Sequence, residues 1–187
     1  MAQTKVVLDS NSYFRLAKSI HPLLFVEFGK EHYCLYVLAE LEDEYERNSR
    51  LLTKFAWVID PEYKENRTKR LTISRKQEAE RKTVYEFMWD HVQTKLPGPS
   101  RLDVVHLSYG YVPGVTIATD DSDMATLAKV FGVKTTKTLE LLKLMLDCGH
   151  IDMTIIRRIA AYWSYEEDRP KDFVTDYHRL FQEAPPP

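Results

Sequence analysis

The chain predicts an α/β fold around a parallel sheet. Two apolar runs, Val6-Val7-Leu8 and Val115-Thr116-Ile117-Ala118, each close in an acidic turn, and each turn leads into apolar residues at helical spacing. A continuous apolar run suits a strand covered on both faces. Strands that alternate with helical stripes make βαβ units.

The elements follow in order. Asp9-Ser10-Asn11-Ser12 offers several helix N-caps, and Tyr13, Leu16, Ala17 and Ile20 repeat at the helical period until Pro22 stops it. Tyr33 to Leu38 is the second strand. A helix begins at Ala39-Glu40-Leu41 and is expected to run through Glu44 and Tyr45 to Leu51. Phe55 to Ile59 suits strand or helix equally and is broken by Asp60-Pro61. Val84, Phe87, Met88, His91 and Val92 mark an amphipathic helix, which Leu96-Pro97-Gly98-Pro99-Ser100 ends. Asp103 opens the next helix, with Val104, Leu107 and Tyr111, and Pro113-Gly114 turns the chain into the run at Val115. Leu127, Ala128 and Phe131 form a helix ended by Gly132. Val133 to Thr135 is a short last strand, and Leu139 to Leu146 is helical with Gly149 as its C-cap. Ile155, Ile156, Ile159, Ala160 and Trp163 form another apolar stripe, and the Pro185-Pro186-Pro187 end is expected to fray. Trp57, Trp89 and Trp163 read as core anchors, Cys34 as a buried strand residue, and His106 as a core or helix-face residue.

The 187 residues are the length of one domain, or of one with an appendage. Hydrophobic residues make up 44%, enough for a core and too many for a disordered chain. No apolar run approaches the roughly 20 residues of a membrane span, and the opening run is too short for a signal peptide. Cys34 and Cys148 lie far apart without CxxC spacing, which excludes a disulfide scaffold and a four-cysteine zinc site. A cytoplasmic protein with reduced thiols is expected.

The net charge of -2 points to no polyanion, but its distribution does. Between Lys64 and Lys82, eight cations stand against three acids, so this stretch carries +5 and the remainder -7. Arg67, Lys69, Arg70, Arg75 and Lys76 are its candidate contacts to RNA phosphates. A solvated face or a dock for an acidic partner would use the same composition.

Acids mark the strand ends, where open α/β sheets bind ligands. Asp9 follows the first strand, Glu40 the second, and Asp121 and Asp123 a later one, while Asp103 opens the helix before it. Carboxylates crowded at one edge resist ionising together, and a divalent cation relieves the repulsion. All-oxygen ligation favours Mg²⁺ or Mn²⁺ over zinc. Each acid also has a plain role: Asp9, Asp121 and Asp123 as N-caps, Asp103 as a helix-start acid, Glu40 as part of a solvated acidic face.

The ordered set resembles the PIN-domain ribonucleases, particularly their toxin-like bacterial and archaeal branch. The resemblance lies in Val6-Val7-Leu8-Asp9-Ser10-Asn11, in Leu38-Ala39-Glu40-Leu41, in Leu102-Asp103-Val104-Val105-His106-Leu107, and most of all in Val115 to Asp123 with its Thr-x-Asp ending. It covers roughly residues 5–50 and 100–150. It implies a three-layer α/β/α domain over residues 1–150, with a helical insertion at about 52–100 and a helical C-terminal extension over 151–187. It implies Mg²⁺- or Mn²⁺-dependent hydrolysis of RNA, with Asp9, Glu40, Asp103 and Asp121 as the catalytic acids. Asp9, Asp103, Asp121 and Asp123 would be the metal ligands, with Asn11 and Thr119 in support. A cognate antitoxin and a homodimer would be the protein partners. Asp120 competes with Asp121, and Glu44, one turn beyond Glu40, competes with Glu40. A non-catalytic PIN-like module that binds RNA or a protein is the alternative. A phosphatase of the Asp-x-Asp-x-Thr type is disfavoured, because the first strand leads into Asp9-Ser10-Asn11-Ser12-Tyr13, and a receiver domain lacks its aspartate and lysine pair.

Overall fold

The computed structural model describes residues 3–187; Met1 and Ala2, part of the opening read for a signal peptide, lie outside them. Four strands, β1 (Thr4–Leu8), β2 (Tyr33–Tyr36), β3 (Thr116–Ala118) and β4 (Thr135–Thr136), form one all-parallel sheet in the order β2-β1-β3-β4. β1 is therefore central, with the chain moving to one side for β2 and to the other for β3. Leu8 pairs with Ala118 and Val7 with Tyr36, so the carboxyl ends of these strands are level.

Helices cover both faces. Along β1, Val6 and Leu8 enter one core and Val7 the other, the alternation a pleated strand imposes. The first core is packed by α1 (Ser10–Ala17), α8 (Thr138–Asp147), α9 (Met153–Tyr165) and α10 (Phe173–Phe181). The second is packed by α5 (Arg75–Lys95), α6 (Arg101–Tyr111) and α7 (Ser122–Phe131). The C-terminal helices are part of the first core: Ile156, Ile159, Trp163, Phe173 and Tyr177 are buried there, and the Trp163 indole N–H donates to Arg15 C=O at 2.9 Å. Among the described residues no helix is long and apolar enough to cross a membrane.

Several boundaries differ from expectation. The helix read from Ala39 to Leu51 is two, α2 (Glu40–Arg47) and α3 (Ser49–Lys54). Asn48 splits them by turning extended and accepting the N–H groups of Arg50 and Leu51 at 3.1 and 3.3 Å. Ala56–Ile59 is a single 3₁₀ turn, leading into α4 (Pro61–Arg67) with proline at its first position. α1 stops at Ala17, ahead of Pro22, and the second strand stops at Tyr36. Gly132 ends α7 in the left-handed conformation, as expected.

Candidate active site

The strand order reverses beside β1, and the crevice outside the carboxyl ends of β1 and β3 is where such sheets take ligands. Asp9 and Thr119 stand side by side there, because each follows its strand directly and the two strands are in register. The Thr119 hydroxyl donates to Asp9 Oδ2 at 2.5 Å, and Thr119 Oγ1 accepts the Asp121 N–H at 3.1 Å. Thr119 thus ties the two acids to one hinge. Asp9 Oδ1 also caps α1, accepting the Ser12 N–H at 2.6 Å.

Asp9 is 7% exposed. Burial pushes its carboxyl above the usual range, while the bonds from Thr119 and Ser12 and the nearby His106 pull the other way. A carboxylate held so seeks a proton or a cation. Asp103 is likewise raised by burial. Its capping bonds with Ser100 oppose this, Asp121 adds to it, and His106 lowers it again. Asp103 and Asp121 are therefore brought within electrostatic reach of each other.

The remaining expected acids are placed as follows. Asp121 caps α7, accepting the N–H groups of Asp123 and Met124 at 2.8 Å each. Asp120 is taken up elsewhere: Arg15 donates to it at 2.7 Å, and it accepts from the Thr138 N–H at 3.0 Å and hydroxyl at 2.5 Å. Asp120 is thus held in a buried ion pair, whereas Asp121 stands beside Thr119 with one oxygen engaged in the α7 cap. Asp123 is exposed and lies against the Pro97-Gly98-Pro99 turn. A Cβ on Gly98, which sits at φ +149°, would come within 2.9 Å of Asp123 Oδ2, so only glycine lets that turn close over the edge. Asn11 is exposed beside Asp9.

Between the two glutamates, Glu44 is the one at the edge: it accepts a hydrogen bond from the hydroxyl of Ser10, the residue after Asp9. Glu40 turns toward α5 and α6. Its charge reaches Arg81 and Tyr109, and its Oε2 is buried without a partner among the described residues. The two glutamates, one turn apart on the same face of α2, also line one shallow pocket with Arg101, Leu102 and Val105; Glu44 is the one hydrogen-bonded to the residue after Asp9.

His106, set aside from the sequence, belongs to this neighbourhood. It is 2% exposed, its Nδ1–H donates to Leu102 C=O at 3.0 Å, and its Nε2 has no partner among the described residues. Its position one helical turn after Asp103 was the available signal.

The basic stretch does not gather at this edge. Arg67 is 1% exposed: its guanidinium donates to Glu42 at 2.8 Å, to Val58 C=O at 2.8 Å and to the Tyr13 hydroxyl at 3.2 Å. Burial works against its charge, and Glu42 and Tyr13 more than restore it. The expectation that Arg67 touches RNA is corrected for that reason. Lys69 and Arg70 are exposed where Leu71 N–H donates to Val37 C=O, just past β2. Gln77, in the first turn of α5, lines a cleft with Thr4, Lys5, Thr116 and Lys134 at the amino ends of the strands. Arg75 and Lys76 share that turn, and so lie at the end of the sheet away from Asp9.

Oxygen donors of the right kind for Mg²⁺ or Mn²⁺ thus stand at one edge, each engaged by a backbone N–H or a hydroxyl. Among the described residues no three His, Cys, Asp or Glu side chains converge closely enough to hold a metal ion. The edge as it stands is not an assembled metal centre. Comparison with protein-family models, with characterised proteins and with solved structures finds no match to this chain.

Proposed function

We propose that the chain is a carboxylate-dependent ribonuclease of the PIN-like, three-layer α/β/α type, with Asp9 at its centre and Mg²⁺ or Mn²⁺ as cofactor. The observation that carries the reading is the buried Asp9 at the switch point of the sheet, hydrogen-bonded to Thr119, which in turn holds Asp121. The bonds from Thr119 and Ser12 offset part of the cost of burying Asp9, yet burial still holds its carboxyl above the usual range, and a bound cation would relieve that. Asp103 and Asp121 add charge at the rim, and Glu44, hydrogen-bonded to the residue after Asp9, serves as the helical glutamate. RNA is the proposed substrate, and a protein inhibitor that covers this edge, a dimer and a cytoplasmic setting belong to the same reading.

The test is cleavage of RNA with Mg²⁺ or Mn²⁺ and its loss with EDTA, using protein freed of contaminating nuclease and the Asp9→Asn variant as the control. Cleavage undiminished in Asp9→Asn ends the proposal. One observation favours a second reading, a non-catalytic module of the same fold that binds RNA or a protein: the carboxylates are each held by capping bonds, without three of them converging. RNA binding that EDTA leaves unchanged, with no cleavage under either metal, selects it.

A further inference from the structure

A cleft of about 410 Å³ opens beside Thr119 and Asp121, bounded by the carboxyl ends of β3 and β4, by α7, by the start of α8 and by the segment ahead of α10. Three lysines reach it from separate elements: Lys129 from α7, Lys137 from the N-cap of α8, and Lys171 from the segment before α10. Lys137 Nζ is bound to Asp176 at 2.7 Å. Lys129 and Lys171 are exposed and enter no ion pair among the described residues. Thr135 and Thr136 add hydroxyls along β4.

The carboxylates of the cleft are largely turned to donors of the protein. Asp120 is held by Arg15 and Thr138, and Glu140 accepts the Lys137 N–H at 3.1 Å. Asp121 Oδ1 caps α7, which leaves its other oxygen, at the acidic edge, and Asp172. An acidic edge repels a polyanion, so a strand that places a phosphodiester there needs cations beside it to hold the neighbouring phosphates. The basic stretch does not reach this cleft: Arg67 is buried, Arg75 and Lys76 belong to the turn at the amino end of the sheet, and Lys69 and Arg70 lie past β2, across β1 from β3 and β4.

We propose that this cleft holds a phosphate of the RNA strand that flanks the bond presented to Asp9, with Lys129 and Lys171 as its cationic contacts and the β4 threonines as hydroxyl donors. The inference rests on the ribonuclease reading and names where its substrate runs. The experiment measures binding of a labelled RNA oligonucleotide in EDTA over about 50–200 mM salt, for the parent, for Lys129→Gln/Lys171→Gln and for Arg75→Gln/Lys76→Gln. Each lost contact to a single strand flattens the log–log salt slope by ~0.7, so the first variant should lose ~1.4 and the second nothing. Slopes of Lys129→Gln/Lys171→Gln that superimpose on the parent overturn the inference, as does a loss that appears in Arg75→Gln/Lys76→Gln instead. A parent that binds RNA through the two lysines but cleaves nothing with Mg²⁺ or Mn²⁺ supports the cleft and removes the ribonuclease reading. A parent that binds no RNA removes both.

Discussion

At the carboxyl end of the sheet, Asp9 and Thr119 share a hydrogen bond and Asp121 caps a helix beside them. At the amino end, Thr4, Lys5, Thr116 and Lys134 line a cleft of about 410 Å³ with Gln77, in the turn that carries Arg75 and Lys76. A parallel sheet sorts residues by strand end, so positions more than a hundred residues apart meet whenever each follows its strand. The basic stretch has no such rule to gather it. α5 is 21 residues long, or ~30 Å at 1.5 Å per residue, with its cationic start beside the amino ends of the strands and its other end leading into the Gly98 turn against Asp123, so the start is carried away from the acids. Charges that neighbour one another along the chain are thereby separated, and Arg67 among them is drawn into the core.

The comparison can be broken most sharply at Asp9. Asp9→Asn should lower RNA cleavage by more than about 100-fold, beyond the 10–100-fold typical of residues that only orient a site. Its melting temperature at pH 7 should equal or exceed the parent's, because the amide removes a buried charge. Loss of activity accompanied by loss of the fold would assign Asp9 to capping alone.

Next in size is Arg67. Arg67→Met should lower the unfolding free energy by about 3 kcal/mol, near the low end for breaking a buried pair because Glu42 is 25% exposed and can be resolvated. For a chain of this length that is a fall of roughly 6–12 °C in melting temperature. RNA binding at a temperature where the variant is folded should be unchanged. A stable Arg67→Met protein with weakened RNA binding would restore the surface role.

The pH dependence distinguishes two kinds of acid at the same end. Burial raises Asp9 and Asp103, so folding favours their protonated forms. Their contribution is present below the ordinary aspartate value of about 3.9 and is lost as pH rises through their folded values. Asp176 has the opposite sign. The Lys137 ammonium holds it below the usual range, so its contribution is present above about 3.9 and is lost as pH falls through its folded value. Denaturant midpoints across pH 2–7, a span of about five units around these values, should show the acid-side loss reduced in Asp176→Asn and the loss on rising pH reduced in Asp9→Asn. The same curve for all three proteins would remove this assignment.

The smallest effect is expected at the far edge. Arg75→Gln/Lys76→Gln should keep cleavage at the parent level and shift stability by no more than about 0.5 kcal/mol, as exposed positions do. A drop in cleavage would place substrate at the amino end and erase the contrast between the edges.

The apolar runs at Val6 and Val115, the acids that close them, the helix after Asp9 and the first-turn acid Asp103 of α6 were legible in the chain, because each depends on neighbours in sequence: strand burial on local composition, capping on residues three apart. Their shared edge also followed, since parallel strands put every strand-end residue on the same side. What only the tertiary structure decided depends on distant partners. Arg15 and Thr138 claim Asp120, while Asp121 caps α7 beside Thr119; Ser10 holds Glu44; Glu42 and Tyr13 bury Arg67; and Asp103 and Asp9 share the neighbourhood of His106. No local pattern encodes these choices, because which of two like-charged residues faces a site depends on where another segment puts its counter-charge, and that is settled only when the helices pack.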